Sequence, residues 1–306
     1  MKDLHELPKF RDSLSYLYID HSVINRKDSA VEYVTKEGAV HIPVAALSVL
    51  ILGPGTSITH AAVKVLAENG CTILWTGDEM TRFYAQGMGE TRKAYHLLRQ
   101  AELVSDPEKR MQVVLRMYRK RFGDQLDPAL SLPQIRGLEG VRVREAYANA
   151  SRAYGIPWQG RRYDRGQWDR SDPINRALSA ANALLNSICH AAIVSGGYSP
   201  ALGFIHTGKQ LSFVYDVADL YKVELTIPVA FATVAQSKGS IEPRVRQACR
   251  QKIREVRLLD RILPDIDALL QITPQEPYND RMDEDPALPA ELWEPLLSET
   301  EASQWS

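Results

Sequence analysis

RFYAQGMGETRKAYHLLRQAELV, residues 82–104, changes its hydrophobic period within one stretch. RFYAQ reads as a strand, whereas RKAYHLLRQAELV spaces its apolar residues as a helix does, so a boundary falls near residue 90. Upstream, LSYLYI, VEYV, SVLIL and CTILWT are β-branched or aromatic runs separated by Asn25, Gly38, Gly53, Pro54, Gly55 and Gly77, which predicts further strands. A single amphipathic helix interrupts them, ITHAAVKVLAENG, with Thr59 or Ser57 as its cap and Gly70 closing it. Downstream, PEKRMQVVLRMYRKRFG, LEGVRVREAYANASRAYG, INRALSAANALLNSICHAAIVSGG and IEPRVRQACRQKIREVRLLDRIL are all helical in period. The expected fold is α+β: a small β-rich N-terminal domain (1–90), a larger all-α C-terminal domain (91–271), and a flexible acidic, Pro-containing tail (272–306).

Composition agrees with a soluble globular protein, since 44% of the 306 residues are apolar and 25% charged. The charged start MKDLHELPKF does not read as a signal peptide, and the apolar run 39–52 contains His41 and Pro43 and is too short to span a bilayer. A cytoplasmic protein without a membrane partner is expected. Cys71, Cys189 and Cys249 are odd in number and far apart, which suggests reduced packing residues. The net charge of -1 hides an asymmetry: residues 272–306 hold nine acidic residues against Arg281, leaving the first 271 residues at about +7. Five prolines in that tail forbid one long helix, so it is either a solvating arm or a segment that docks on a partner through ALPAELWEPLL.

ALGFIHTGKQLSFVYDVADLYK, residues 201–222, keeps His206, Asp216 and Asp219 in an apolar context. On a helix, Asp216 and Asp219 share a face, and two close carboxylates need a cation between them or water around them. A divalent metal is one relief; pairing with Lys209 and Lys222 on a solvated face is the other. His206 is by itself either a ligand or a packing residue. In RGLEGVRVREAY, residues 136–147, Glu139 stands between Gly137 and Gly140 at the start of a helix, each glycine costing about 1 kcal/mol relative to alanine. Either something approaches the backbone there, or the glycines ease helix packing while Glu139 pairs with Arg136 or Arg142. Glutamate, histidine and aspartate from different helices would suit Mg2+ or Mn2+, the second accepting an imidazole more readily. Arg82, Lys209, Lys222, the RRYDR of residues 161–165, and Arg246 with Arg250 four residues apart suit either a phosphate backbone or a solvated face. G-x-x-x-x-G-K-[ST], G-x-G-x-x-G, C-x-x-C and H-E-x-x-H do not occur, which counts against nucleotide triphosphate hydrolysis and zinc catalysis. GPGT (53–56) reads as a turn or as a phosphate cradle at a helix N-terminus.

RGLEGVRVREAY, GIPWQGRRYD, INRALSAANALL and GYSPALGFIHTGKQLSFVYDVADLYK resemble, in order and spacing, the CRISPR-associated integrase of the spacer-acquisition complex in its type I-E form. The resemblance covers roughly residues 10–255. It implies a β domain for dimerisation and a helical domain for catalysis. On the family's motif positions, Glu139, His206 and Asp219 match the metal ligands and Asp216 an additional acidic residue needed for activity. It further implies two homodimers bridging a dimer of the small second CRISPR-associated protein, an assembly that captures a short foreign DNA duplex and inserts it into the repeat array. In the type I-E branch, partner contacts have been linked to the integrase tail, which favours docking of ALPAELWEPLL. His21, in YIDHSV, departs from the family at a place where an aromatic wedge against the DNA end is expected.

The chemistry implied is attack of a 3'-hydroxyl on a repeat phosphodiester, which needs polarised phosphoryl oxygens and in-line alignment but no covalent enzyme intermediate. Arg82, Lys209, Lys222, Arg246 and Arg250 are then the expected phosphate contacts. Two other readings stand beside it: a metal-dependent nuclease acting on branched DNA, and a non-catalytic DNA-binding scaffold in which Glu139, His206 and Asp219 form only a buried network.

Overall fold

Strands β5 (Val49–Leu52) and β7 (Thr72–Thr76) are buried at nearly every position because each is covered on both faces. They form the middle of a sheet in the order β1 (Tyr16–Ile19), β5, β7, β8 (Phe83–Gly87), with β1, β5 and β7 parallel and β8 antiparallel at one edge. The crossover from β5 to β7 carries α1 (His60–Glu68), whose N-cap Thr59 accepts a hydrogen bond from the amide of Ala62. A second sheet runs β4 (Gly38–Pro43), β3 (Ala30–Thr35), β2 (Val23–Lys27), β6 (Ser57–Ile58). This computed structural model describes residues 16–28, 30–35, 38–44, 47–77, 83–87, 94–123, 126–127, 129–161, 172–236 and 240–272.

The alternation of side chains along β5 and β7 divides the core in two. Leu50, Leu52 and Ile73 pack with Ile24, Val31, Val65 and Leu66 beneath α1, while Val49, Ile51 and Leu74 face the other way into the helical core. Burying one such side chain stabilises by about 1.5–3 kcal/mol, so the sheet contributes to both layers at once. On the helical side are α2 (Tyr95–Ser105), α3 (Pro107–Phe122), α4 (Leu132–Tyr154), α5 (Pro173–Ser195), α6 (Ser212–Ala218), α7 (Thr226–Ala235), α8 (Ile241–Glu255) and α9 (Leu258–Leu270). Helix α5 is central. It is long and apolar enough to pass for a membrane span, but its side chains are buried around most of its circumference by α6, α7, α8 and α9. Asp172 caps its first turn and Pro173 opens it, the arrangement expected where amide donors lack partners.

The α+β architecture with a β-rich first part and a helical remainder is the one the sequence periods imply. Two local readings change. The single helix expected over 241–263 is broken at Arg257, which adopts φ 49°, ψ 44° and separates α8 from α9. Helix α4 starts at Leu132, where Gln134 Oε1 accepts from the Ser131 amide, so Glu139 lies two turns in rather than at the start. Of its two readings GPGT takes the turn, with Gly55 at φ 70° against His21. The three cysteines are buried thiols, and burial pushes the Cys249 thiol up to about 12. Residues up to Ile272 form one unit; the acidic arm expected beyond it lies outside the described residues.

His190 on α5 is 4% exposed and packs against Phe83 of β8, the rings tilted by 36° with centroids 3.9 Å apart. Burial pushes its pKa down to about 4, so the folded state keeps it neutral while the unfolded chain takes a proton below about 6.5. Its contribution to stability is therefore present above pH 6.5 and lost as pH falls from there toward 4. Melting curves across that range should show the loss, of order 1–3 kcal/mol, and His190→Gln should flatten it; a profile identical in slope for both proteins would refute the assignment.

Candidate active site

The segment after α5, residues 199–206, is held from two sides. Gln100 of α2 is fully buried, donating to the carbonyls of Ser199 and Leu202 and accepting from the Ser199 amide at 2.8–3.0 Å. Arg110 of α3 donates to the carbonyls of Gly203 and Phe204. With carbonyls satisfied by these side chains, the amides of the loop turn the other way, toward α6. Gly203 permits this, because a Cβ there would stand 2.4 Å from the His206 carbonyl.

Asp216 of α6 collects those amides. Its carboxylate, 0% exposed, accepts from Phe204 N at 2.6 Å, Ile205 N at 3.0 Å, His206 N at 2.9 Å and His206 Nδ1 at 2.7 Å. A carboxylate with four donors is saturated; its role here is to fix the loop and the imidazole. Because Asp216 accepts, Nδ1 carries the proton and Nε2 is the nitrogen left for another partner. The Asp216 hydrogen bond raises the His206 pKa, and the charges of Asp216 and Asp219 add to it against the opposing effects of burial and Lys222.

Asp219 ends α6 and meets residues from α3 and α4. Arg121 of α3, 4% exposed, reaches Glu139 Oε1 of α4 with Nη1 at 3.4 Å and Asp219 Oδ2 with Nη2 at 3.8 Å, and also donates to the Asp216 carbonyl at 3.4 Å. Its Nε is buried with no hydrogen-bond partner. Glu139 additionally accepts from Arg142 at 2.8 and 3.0 Å, and Asp219 from Lys222. Tyr147 of α4 and Cys189 of α5 lie within reach of the Asp219 charge, so the carboxylate sits among α3, α4, α5 and α6.

The structure thus brings Glu139 and Asp219 onto one guanidinium and His206 into the field of Asp219, although they are far apart in sequence. Among the described residues, no three His, Cys, Asp or Glu side chains stand close enough together to hold a metal ion. By chemistry the donor set nonetheless fits a hard divalent ion: two carboxylates and one oriented imidazole. Arg121 marks the gap between the carboxylates as one where positive charge is already required.

The pairing alternatives also hold in part, since Glu139 pairs with Arg142 and Asp219 with Lys222. Helix packing does not explain the glycines, because a Cβ at Gly137 would meet nothing within 4 Å and one at Gly140 only the Arg144 guanidinium at 3.5 Å. The helix face beside Glu139 is open. Of the expected phosphate contacts, Lys222 is at the site and Lys209 is exposed on the loop leading into α6. Arg246 and Arg250 lie one turn apart on α8, Arg246 within electrostatic reach of Glu242. Arg161 is a structural staple, donating to Asn175 and Ser179, and Arg82 lies outside the described residues. His21 is exposed at φ 47°. Sequence reasoning missed Arg121, hidden in the basic run RMYRKRF; the available signal was its position in register with buried Val114, Met117 and Tyr118.

The family model for "CRISPR associated protein Cas1" matches residues 16–127 and 119–242. The "CRISPR-associated endonuclease Cas1 2" of Thermus thermophilus is 55% identical over 96% of this chain and 90% of its own length. The Escherichia coli "CRISPR-associated endonuclease Cas1" is 39% identical over 90% of this chain and 92% of its own. A solved structure described as "Crystal structure of TtCas1-DNA complex" superposes with a TM-score of 0.77 at 56% identity, covering 87% of this chain and 100% of that one.

Removing Asp216 and removing Asp219 should have unequal costs. Asp216→Ala strands four donors in a buried loop and should lower the unfolding free energy by about 3 kcal/mol or more; Asp219→Ala, at a partly exposed site, should cost about 1 kcal/mol. Urea denaturation measures both, and equal losses would contradict the division of roles.

Proposed function

The chain belongs to the CRISPR-associated Cas1 family, and from that premise we propose that it is a divalent-metal-dependent DNA integrase that inserts short foreign duplexes into a CRISPR repeat array. The observation that carries the proposal is the meeting of Glu139 and Asp219 on Arg121, beside a His206 whose free nitrogen is set by Asp216. Glu139, His206 and Asp219 would hold Mg2+ or Mn2+. When bound, such an ion supplies Lewis-acid polarisation of a phosphodiester and favours the alkoxide of an attacking 3'-hydroxyl.

The remaining work belongs to the chain's own side chains. Asp216 keeps the imidazole oriented, so that His206 presents Nε2 without a search over rotamers. Lys222 and Arg142, 29% and 24% exposed, bind phosphate oxygens and carry the charge that builds on them during in-line displacement. The open face at Gly137 and Gly140 admits a nucleic-acid backbone next to Glu139. Lys209, Arg246 and Arg250, with Arg82, extend the phosphate contacts and give affinity that falls steeply with salt. The β-rich part carries homodimer contacts, and two dimers bridge a dimer of the small second CRISPR-associated protein in the cytoplasm. The relatives named above as endonucleases support a second reading, cleavage of branched DNA with water in place of the 3'-hydroxyl.

A strand-transfer assay tests this: a duplex with free 3'-hydroxyls, a repeat-bearing plasmid, the second CRISPR-associated protein and Mn2+. Joined products are expected, abolished by chelation and by 3'-dideoxy ends, and reduced at least a hundredfold by Glu139→Ala or Asp219→Ala, the range seen when groups stabilising transition-state charge are removed. Cleavage without joining would favour the nuclease, and joining unaffected by either substitution would remove the site from the chemistry. Lys222→Ala should weaken duplex binding uniformly across sequences and lower the magnitude of the log–log salt slope by about 1, read from binding isotherms at several salt concentrations.

A further inference from the structure

Arg121 differs from the other two cations around Glu139 and Asp219. Arg142 and Lys222 each sit three residues from their carboxylate on the same stretch of chain and are 24% and 29% exposed, so both can turn outward to a phosphate without unfolding anything. Arg121 is 4% exposed, comes from a different helix, and lies over the Tyr118 ring at 5.4 Å. It cannot leave. Its contacts are also the loosest in the site: 3.4 Å to Glu139, 3.8 Å to Asp219 and 3.4 Å to the Asp216 carbonyl, with Nε unpaired. A guanidinium so placed is optimised for no single acceptor. It supplies one positive charge shared between two carboxylates, in a place where water is excluded and charge is weakly screened.

The charge balance follows from those contacts. Three carboxylates, Asp216, Glu139 and Asp219, stand against three cations, Arg121, Arg142 and Lys222, so their charges already cancel, and the lone pairs of Asp216 are filled by the N–H groups of His206 and three peptides. A divalent ion entering that balance brings two positive charges with no spare negative charge to meet them. It is favoured only when negative charge arrives with it, and the phosphate backbone is the polyanion at hand. Arg142 and Lys222 can move onto phosphates; Arg121 stays and continues to repel the ion.

We propose that Arg121 is a resident counter-ion that sets metal occupancy of this site, keeping divalent-ion affinity low until bound DNA supplies the compensating negative charge. The proposal rests on the metal-dependent reading above and adds regulation to it. By linkage, DNA tightens metal binding and metal tightens DNA binding by the same factor.

Mn2+ binding to the full-length protein, followed by the loss of the free-ion electron paramagnetic resonance signal, measures this without any turnover, using a 3'-dideoxy-terminated duplex as the DNA. Wild type should bind Mn2+ roughly tenfold more tightly with the duplex than without it. Arg121→Gln should bind Mn2+ roughly tenfold more tightly than wild type in the absence of DNA and show less further gain on adding it; Arg121→Lys, which keeps the charge, should behave as wild type. Equal Mn2+ affinity of wild type with and without duplex overturns the proposal, and that arm stands even if Arg121→Gln does not fold. Arg121→Gln affinity equal to wild type without DNA overturns it as well. Failure of the underlying metal reading looks different: no Mn2+ bound in either condition, or binding unchanged in Glu139→Gln, ends both.

Discussion

Four N–H groups converge on the Asp216 carboxylate, three from consecutive peptides and one from an imidazole, in a place that water does not reach. Burying a carboxylate is costly unless its lone pairs are filled, and here the chain itself fills them. The cost of that arrangement is a loop with no freedom to choose another path: its carbonyls are tied to Gln100 and Arg110, its amides to Asp216, and Gly203 allows the strands of this knot to pass. His206 inherits its position from this. So does Asp219, which follows three residues later at the end of the same short helix.

Three carboxylates within one site therefore do two kinds of work. Asp216 is saturated and orients; Glu139 and Asp219 are partnered by cations and remain open to exchange. The division follows from burial and from donor type, since peptide and imidazole N–H groups are fixed by the fold while lysine and arginine side chains at partly exposed positions are not. The same residues that neutralise the site at rest are suited to phosphate, and the open face of α4 beside Glu139 gives a backbone room to reach them.

Much of this was legible in the sequence. The change of hydrophobic period near residue 90 separates sheet from helix because strand and helix bury side chains at spacings that do not overlap. Glu139, His206 and Asp219 were recognisable from motif resemblance, and the polar triad in an apolar stretch already raised the question of a partner. What the local pattern could not carry was the answer that the partner of Asp216 is mostly backbone, because amide donors leave no trace in residue type. Arg121 was lost among neighbouring arginines and lysines, its burial set by α4 and α6 rather than by α3. Helix α7 was missed because TIPVAFATVA is apolar nearly throughout, so no period stands out. The break at Arg257 was missed because no glycine or proline marks it; a left-handed arginine is set by how α8 and α9 pack.

Strand β5 has a further implication. VLIL is equally greasy on its two sides, so a one-residue slide would exchange its faces among aliphatic side chains, and the usual polarity cue for strand alignment is absent from the strand itself. Alignment is instead imposed at the ends and by fit. The Gly53 amide docks on the Ile19 carbonyl at 2.8 Å, the Thr72 amide on Ser48 at 2.9 Å, and the Thr76 hydroxyl on Leu52 at 3.3 Å. A shifted β5 would also drive something larger than glycine against the ring of Tyr18, whose hydroxyl stands 2.2 Å from where a Gly53 Cβ would lie. The centre of the molecule is thus threaded correctly by shape and by its knots, not by the contrast between water and hydrocarbon.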